Sequence, residues 1–238
     1  MPEETYKDKD PRLNQGQCTQ CGKPTQLQRI NSSYIKQEVG NVLLLEKGLF
    51  YTIRELFIRP GKSIREFIFE DRSKLVKPVY FLIVTSLIYT LANHFLKFED
   101  GYISGGDFDG STIGVIINWL QNNYGAANLI LSIFIALWLK LFFRRHDYNF
   151  FEILILLCYV MGAAMLIFAM FGIIEGLTSV KVMQMGAIIV FIYITWALGK
   201  FYHQRFSGYL KAFFVYLLGY VSFLTTAVFV GLAIDLFL

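Results

Sequence analysis

Apolar residues fall into two regimes along the chain. From residue 78 onward they form five nearly continuous runs, at 78–96, 120–143, 153–174, 182–202 and 212–236. Each is close to the ~20 residues that a helix needs to cross about 30 Å of hydrocarbon. The second run starts on polar Gln121, Asn122 and Asn123 and carries Asn128, so its beginning is the least sharply defined. Before residue 78 the apolar positions are spaced instead. Ile35, Val39, Val42, Leu43, Leu45, Leu49, Phe50, Ile53, Leu56 and Phe57 recur near a helical period, and Lys36, Glu38, Glu46, Lys47, Arg54 and Glu55 take the other face. Such a segment is too charged to span a bilayer; it predicts an amphipathic helix that lies in the interface or docks on the bundle. Arg59-Pro60-Gly61 breaks it. Ser63, with Glu66 three residues later, is placed to cap a second short helix whose apolar side is Ile64, Phe67 and Ile68. Residues 1–33 show no useful period and read as an irregular polar segment.

The expected fold is therefore all-α. It is a polytopic membrane bundle of about five transmembrane helices (78–238), preceded by interfacial helices (34–77) and a polar N-terminal segment (1–33). Composition agrees: 55 % of the 238 residues are hydrophobic, only 17 % are charged, and mean hydropathy is +0.48. No cleavable signal precedes the first run, which is expected to act as an uncleaved insertion signal.

Charge adds an orientation. Of 22 Lys and Arg residues, 14 lie in the first 77 positions; Lys140, Arg144, Arg145, Lys200, Arg205 and Lys211 fall in loops that share their side, leaving only Lys97 and Lys181 opposite. The positive-inside rule then predicts a cytoplasmic N-terminus and an outside C-terminus. Arg59, Lys62, Arg65, Arg72, Lys74, Lys77, Arg144, Arg145 and Arg205, with His146 and His203, would sit at headgroup level. The bilayer and its anionic lipids are thus the first expected partners, each cation gaining about 1 kcal/mol there. Topogenic charge alone accounts for the same pattern.

Other motifs are sparse. Cys18 and Cys21 form a CxxCG half-site that could share a tetrahedral Zn with a second pair, for example from a homodimer; a degenerate knuckle without metal is the simpler reading. Cys158 reads as a small core residue. Gly162, Gly172 and Gly176 in the third span, and Gly219, Ser222 and Thr226 in the fifth, mark small-residue faces for helix packing, within the chain or in an oligomer. Asn93, His94, Asn128, Glu175 and Gln184 lie toward the outer ends of spans, where they either cluster or face headgroups. No paired acids, HExxH or nucleophile–base set occurs, no enzymatic activity is expected, and nucleic-acid binding is not indicated.

Leu56, Arg59-Pro60-Gly61, Ile64-Arg65-Glu66-Phe67, Asp71-Arg72 and Lys77-Pro78-x-Tyr80-Phe81-Leu82, with the upstream CxxCG, resemble a family of small bacterial membrane proteins, common in Bacteroidetes, classed as a domain of unknown function. The resemblance covers roughly residues 18–100. It implies an N-terminal zinc-ribbon-like knuckle, a basic juxtamembrane motif and several spans. This chain departs from it in having one CxxC rather than two. The expected function is a membrane scaffold or accessory protein that recruits a partner, such as a co-encoded cytoplasmic protein, through its N-terminal region. An oligomeric pore or permease acting in stress or phage defence is the alternative, and a lipid- or phosphate-handling enzyme the third.

Overall fold

The computed structural model describes residues 13–14, 17–18, 48–99, 111–144, 146–178, 180–202 and 206–237. The chain divides into two compact units, 1–44 and 45–238. In the first, β1 (Leu13–Asn14) and β2 (Gln17–Cys18) form a two-residue antiparallel ladder. The second is all-α. Helix α1 is described over 48–58, followed by α2 (Pro60–Phe69), α3 (Pro78–Leu96), α4 (Thr112–Asn122), α5 (Tyr124–Phe142), α6 (Phe150–Thr178), α7 (Met183–Phe201) and α8 (Phe206–Phe237). Five of these, α3 and α5 to α8, are long and apolar enough to cross a membrane.

Helix α6 is the centre. It is apolar on every side, and 72 % of its most apolar stretch is buried, against 11 % for α8. A helix apolar all round has no solvent face and belongs inside a bundle. Helices α3, α5, α7 and α2 pack on it, and α8 lies outside against α5, α7 and α4. Glycines set these approaches. A Cβ added at Gly162 would lie 2.7 Å from the Phe81 ring of α3, at Gly172 2.5 Å from Phe98, and at Gly176 2.6 Å from the Leu96 Cβ. At Gly219 of α8 it would lie 2.8 Å from the Ile135 Cα of α5. Ser222 Oγ accepts from Trp138 Nε1 at 3.1 Å and donates to Gly219 O, while Thr226 donates to Ser222 O on its own helix. These four glycines and Ser222 thus take up contacts within the chain.

Several boundaries differ from the sequence expectation. The second span starts at Tyr124, because Asn122 and Asn123 donate to the carbonyls of Asn118 and Trp119 and close α4 as a separate helix. The third starts at Phe150, where Asn149 and Glu152 cap each other's backbone N–H at 2.9 and 2.8 Å. Ser63 caps nothing. Pro60 takes the first position of α2, where its fixed φ suits and no N–H is needed, and the Ser63 hydroxyl donates to Glu55 instead.

The ends of the spans opposite α2 are tied by acids. Glu99 accepts from Tyr89, Tyr124 and Asn93. Glu175 accepts the N–H groups of Val182 and Met183 at 2.9 and 2.8 Å, capping α7. Asp235 accepts from Thr112 at the start of α4. The polar residues expected at the outer ends of the spans therefore do not form one cluster: His94 and Gln184 are exposed, and Asn128 donates to Tyr124 O within α5.

Gly219→Ala tests the α5–α8 seam. Its methyl meets both the Cγ1 of Ile135, at 2.7 Å, and the backbone Cα, at 2.8 Å, which cannot swing aside, so overpacking should cost about 1–3 kcal/mol, read as a lower melting temperature in detergent. An unchanged melting temperature contradicts the packing described.

Candidate functional site

The segment 48–77 is bonded to the bundle at several independent points. Tyr159 of α6 donates to Val76 O at 2.7 Å, and Tyr193 of α7 to Leu56 O at 3.2 Å. Thr52 Oγ1 accepts from Val76 N at 3.0 Å, closing α1 onto the link that leads into α3. Leu56, Ile64, Phe67, Ile68, Leu75 and Val76 are buried in the main core. The α1–α2 corner is fixed by Glu55, 7 % exposed, which accepts from Arg59 Nε at 2.5 Å and Ser63 Oγ at 2.7 Å. Burial by itself would raise the Glu55 carboxyl pKa; the hydrogen bonds from Arg59 and Ser63, and the charges of Arg59 and Arg54, outweigh it and hold it below its ordinary value.

Helix α2 crosses the C-terminal end of α7 at very close range. A Cβ at Gly61 would lie 2.4 Å from the Lys200 carbonyl carbon and 2.6 Å from Phe201 N. The last carbonyls of a helix have no partner in the helix itself and carry partial negative charge. Here Arg65 Nη1 donates to Lys200 O at 2.9 Å and to Phe201 O at 2.6 Å. Desolvation in this position lowers the Arg65 pKa from its ordinary value. Rings pack beside this junction: Tyr148 lies 4.7 Å from Phe201, and Phe143 stacks on Tyr202 at 4.2 Å.

Beside the crossing a cleft of about 470 Å³ opens, lined by Arg59, Lys62, Arg65 and Lys200 with Ile58, Gly61, Trp196 and Tyr209. Arg59 pairs with Glu55, and Lys62 lies 3.7 Å from Glu66, but neither acid lines the cleft. Arg65 and Lys200 have no carboxylate partner among the described residues. The lining is cationic, with aromatic and apolar walls: a site that can hold an anion by charge and N–H donation.

The cations expected at this level divide accordingly. Arg59, Lys62 and Arg65 converge on the cleft. Arg72, Lys74, Lys77 and Arg144 are exposed and do not line it, Lys74 lying 3.9 Å from Glu66. Arg145, His203 and Arg205 lie outside the described residues, as does Cys21 of the Cys18–Cys21 pair. Cys158 is buried in α6. Sequence reasoning treated Lys200 only as topogenic charge and did not single out Trp196 or Tyr209. The available signal was Gly199, where a Cβ would lie 2.3 Å from the Tyr209 ring, bringing the end of α7 against the start of α8.

The fold defines an all-α, multi-pass membrane protein. Residues 46–90, which comprise the α1–α2 corner, the link and the first part of α3, match the family described as "Protein of unknown function (DUF3667)". No curated protein and no solved structure matches the chain.

Because the Glu55 pKa is depressed in the fold, its ionised form stabilises the corner above the unfolded value of about 4.3. That contribution is lost as pH falls through the lowered folded value. Glu55→Gln should therefore lower the melting temperature at pH 7 and flatten its fall between about pH 5 and pH 3. Equal acid sensitivity in the variant contradicts the assignment.

Proposed function

We propose that the chain is a membrane anchor and scaffold, in which the bundle holds 48–77 as a fixed platform and the platform carries the N-terminal region to a partner at the bilayer surface. The observation that supports this reading is the docking of α1 and α2 on α7 through Leu56 and Arg65, and of the following link on α6 through Val76. A segment bonded in this way is a firm point of attachment, as an anchor for a recruiting region requires. The platform's Arg59, Lys62 and Arg65 sit at the α7 end that bears Lys200. With the 20-to-2 division of Lys and Arg, this favours a cytoplasmic basic end, N-terminus inside and C-terminus outside, in a bacterial inner membrane.

Affinity capture from cells with the intact chain, and with residues 1–44 deleted so that the platform remains, tests recruitment. A partner held by the intact chain should be lost on deletion; an unchanged partner set contradicts the scaffold reading. Orientation is tested separately by labelling introduced thiols in intact cells. Lys181→Cys should react with an impermeant reagent and Lys77→Cys only after permeabilisation; the reverse pattern overturns the topology.

A further inference from the structure

The cationic cleft continues into a second concavity. Along the surface between α7 and α8 runs an apolar groove of about 830 Å³, whose walls include Ile188, Ile192, Phe213 and Leu217. Trp196 and Tyr209 line both spaces, so the groove begins where the cleft ends. Its one hydroxyl-bearing aliphatic residue, Thr195, donates to Phe191 O at 2.8 Å within its own helix, so that its hydroxyl is satisfied there. Polarity thus changes abruptly along one continuous surface, from four cations to hydrocarbon.

We infer that this surface is a binding site for one anionic glycerophospholipid, its phosphate held in the cleft by Arg65, Lys200, Lys62 and Arg59 and an acyl chain laid in the α7–α8 groove. Charge selects the headgroup. Arg59 and Lys62 are partly offset by Glu55 and Glu66, but Arg65 and Lys200 have no described acid partner, so the cleft keeps a net positive charge. An ammonium-bearing zwitterionic headgroup would bring its own cation into that field. Donor geometry agrees. A guanidinium has five N–H donors, and the two bonds to α7 carbonyls both leave from Arg65 Nη1, so Nη2 and Nε are available to phosphate oxygens. The aromatic pair fits the same division. Trp and Tyr concentrate where headgroups meet hydrocarbon, and here they stand at that junction between the two parts of the site. The groove is what separates a lipid from a free anion: inorganic phosphate would use the cleft and leave the apolar wall empty. This inference does not depend on the scaffold reading, since it requires no protein partner.

Native mass spectrometry of the full chain in mild detergent tests it, with phosphatidylglycerol and phosphatidylcholine of identical acyl chains added in parallel. One phosphatidylglycerol per chain should be retained in preference to phosphatidylcholine. Lys62→Gln with Lys200→Gln should weaken phosphatidylglycerol retention about fivefold for each lysine removed and leave phosphatidylcholine unchanged. Arg72→Gln with Lys77→Gln, which removes two exposed cations outside the cleft, should have much the smaller effect. Ile192→Trp, which fills the groove without changing charge, should weaken both lipids. Melting temperatures close to that of the parent chain establish that the variants fold. Equal retention of the two lipids overturns the inference. So does an equal loss in the Arg72/Lys77 variant, which would mean diffuse surface charge. Displacement of the lipid by millimolar inorganic phosphate also overturns it, since the cleft would then be an anion site only.

Discussion

The end of α7 is the constraint around which the platform is arranged. A helix that stops at the edge of a bilayer leaves carbonyls that water can satisfy only if nothing covers them. Here α2 covers them, approaching so closely that residue 61 must be glycine to avoid the Lys200–Phe201 backbone. The covering helix brings its own donor: Arg65, one turn beyond Gly61, bonds both carbonyls. Close approach and carbonyl capping are thus provided by one short helix. The Glu55–Arg59–Ser63 corner sets the entry of α2, and the Val76 bonds to Thr52 and Tyr159 bring the chain back to begin α3. Removing the Arg65 bonds would return these partly exposed carbonyls to water, at a cost on the order of 1 kcal/mol per bond.

Polar groups are paired in the same way at the opposite ends of the spans. Glu99 receives donors from α3 and from Tyr124 of α5, Glu175 the N–H groups of Val182 and Met183 at the start of α7, and Asp235 the donors of Thr112 at the start of α4, so the acids there act as clasps between elements near and far in sequence. Between the two ends, apolar surfaces and glycine contacts dominate. Thr85 and Ser132 are buried in the spans and return their hydroxyls to carbonyls of their own helices. The bundle is fastened at its rims and packed by shape in its interior. This arrangement fits an anchor, and it concentrates accessible charge at the α2–α7 rim, where the cleft lies.

Hydropathy revealed the spans because a bilayer imposes a length and a composition that few soluble segments meet. It could not reveal side-chain reciprocity. Asn149 and Glu152 extend α6 toward its N-terminus, and Asn122 and Asn123 close α4, through local bonds that leave little mark on an apolar average. Arg59, Lys62 and Arg65 were legible as basic juxtamembrane residues. Their convergence with Lys200 was not, since it depends on a contact between residues some 135 positions apart. Glycine carried more information than its small-residue label suggested. Gly61 read as part of a helix breaker, and Gly199 went unremarked, yet these two bring α2 and α8 against α7 and give the cleft its walls. The segment 48–77 was equally compatible with lying flat in the interface; what decides for docking is the set of bonds from Tyr159, Tyr193 and Arg65, which periodicity does not encode.

The central claim is that 48–77 is an integral part of the bundle rather than a helix resting on the lipid surface. Hydrogen exchange of the full chain in nanodiscs measures this directly. The account predicts that the amides of α2 and of Val76 exchange as slowly as those at the C-terminal end of α7, and that Gly61→Ala speeds both together. Exchange across α2 and at Val76 as fast as in the exposed 72–74 turn, unchanged by Gly61→Ala, would contradict it.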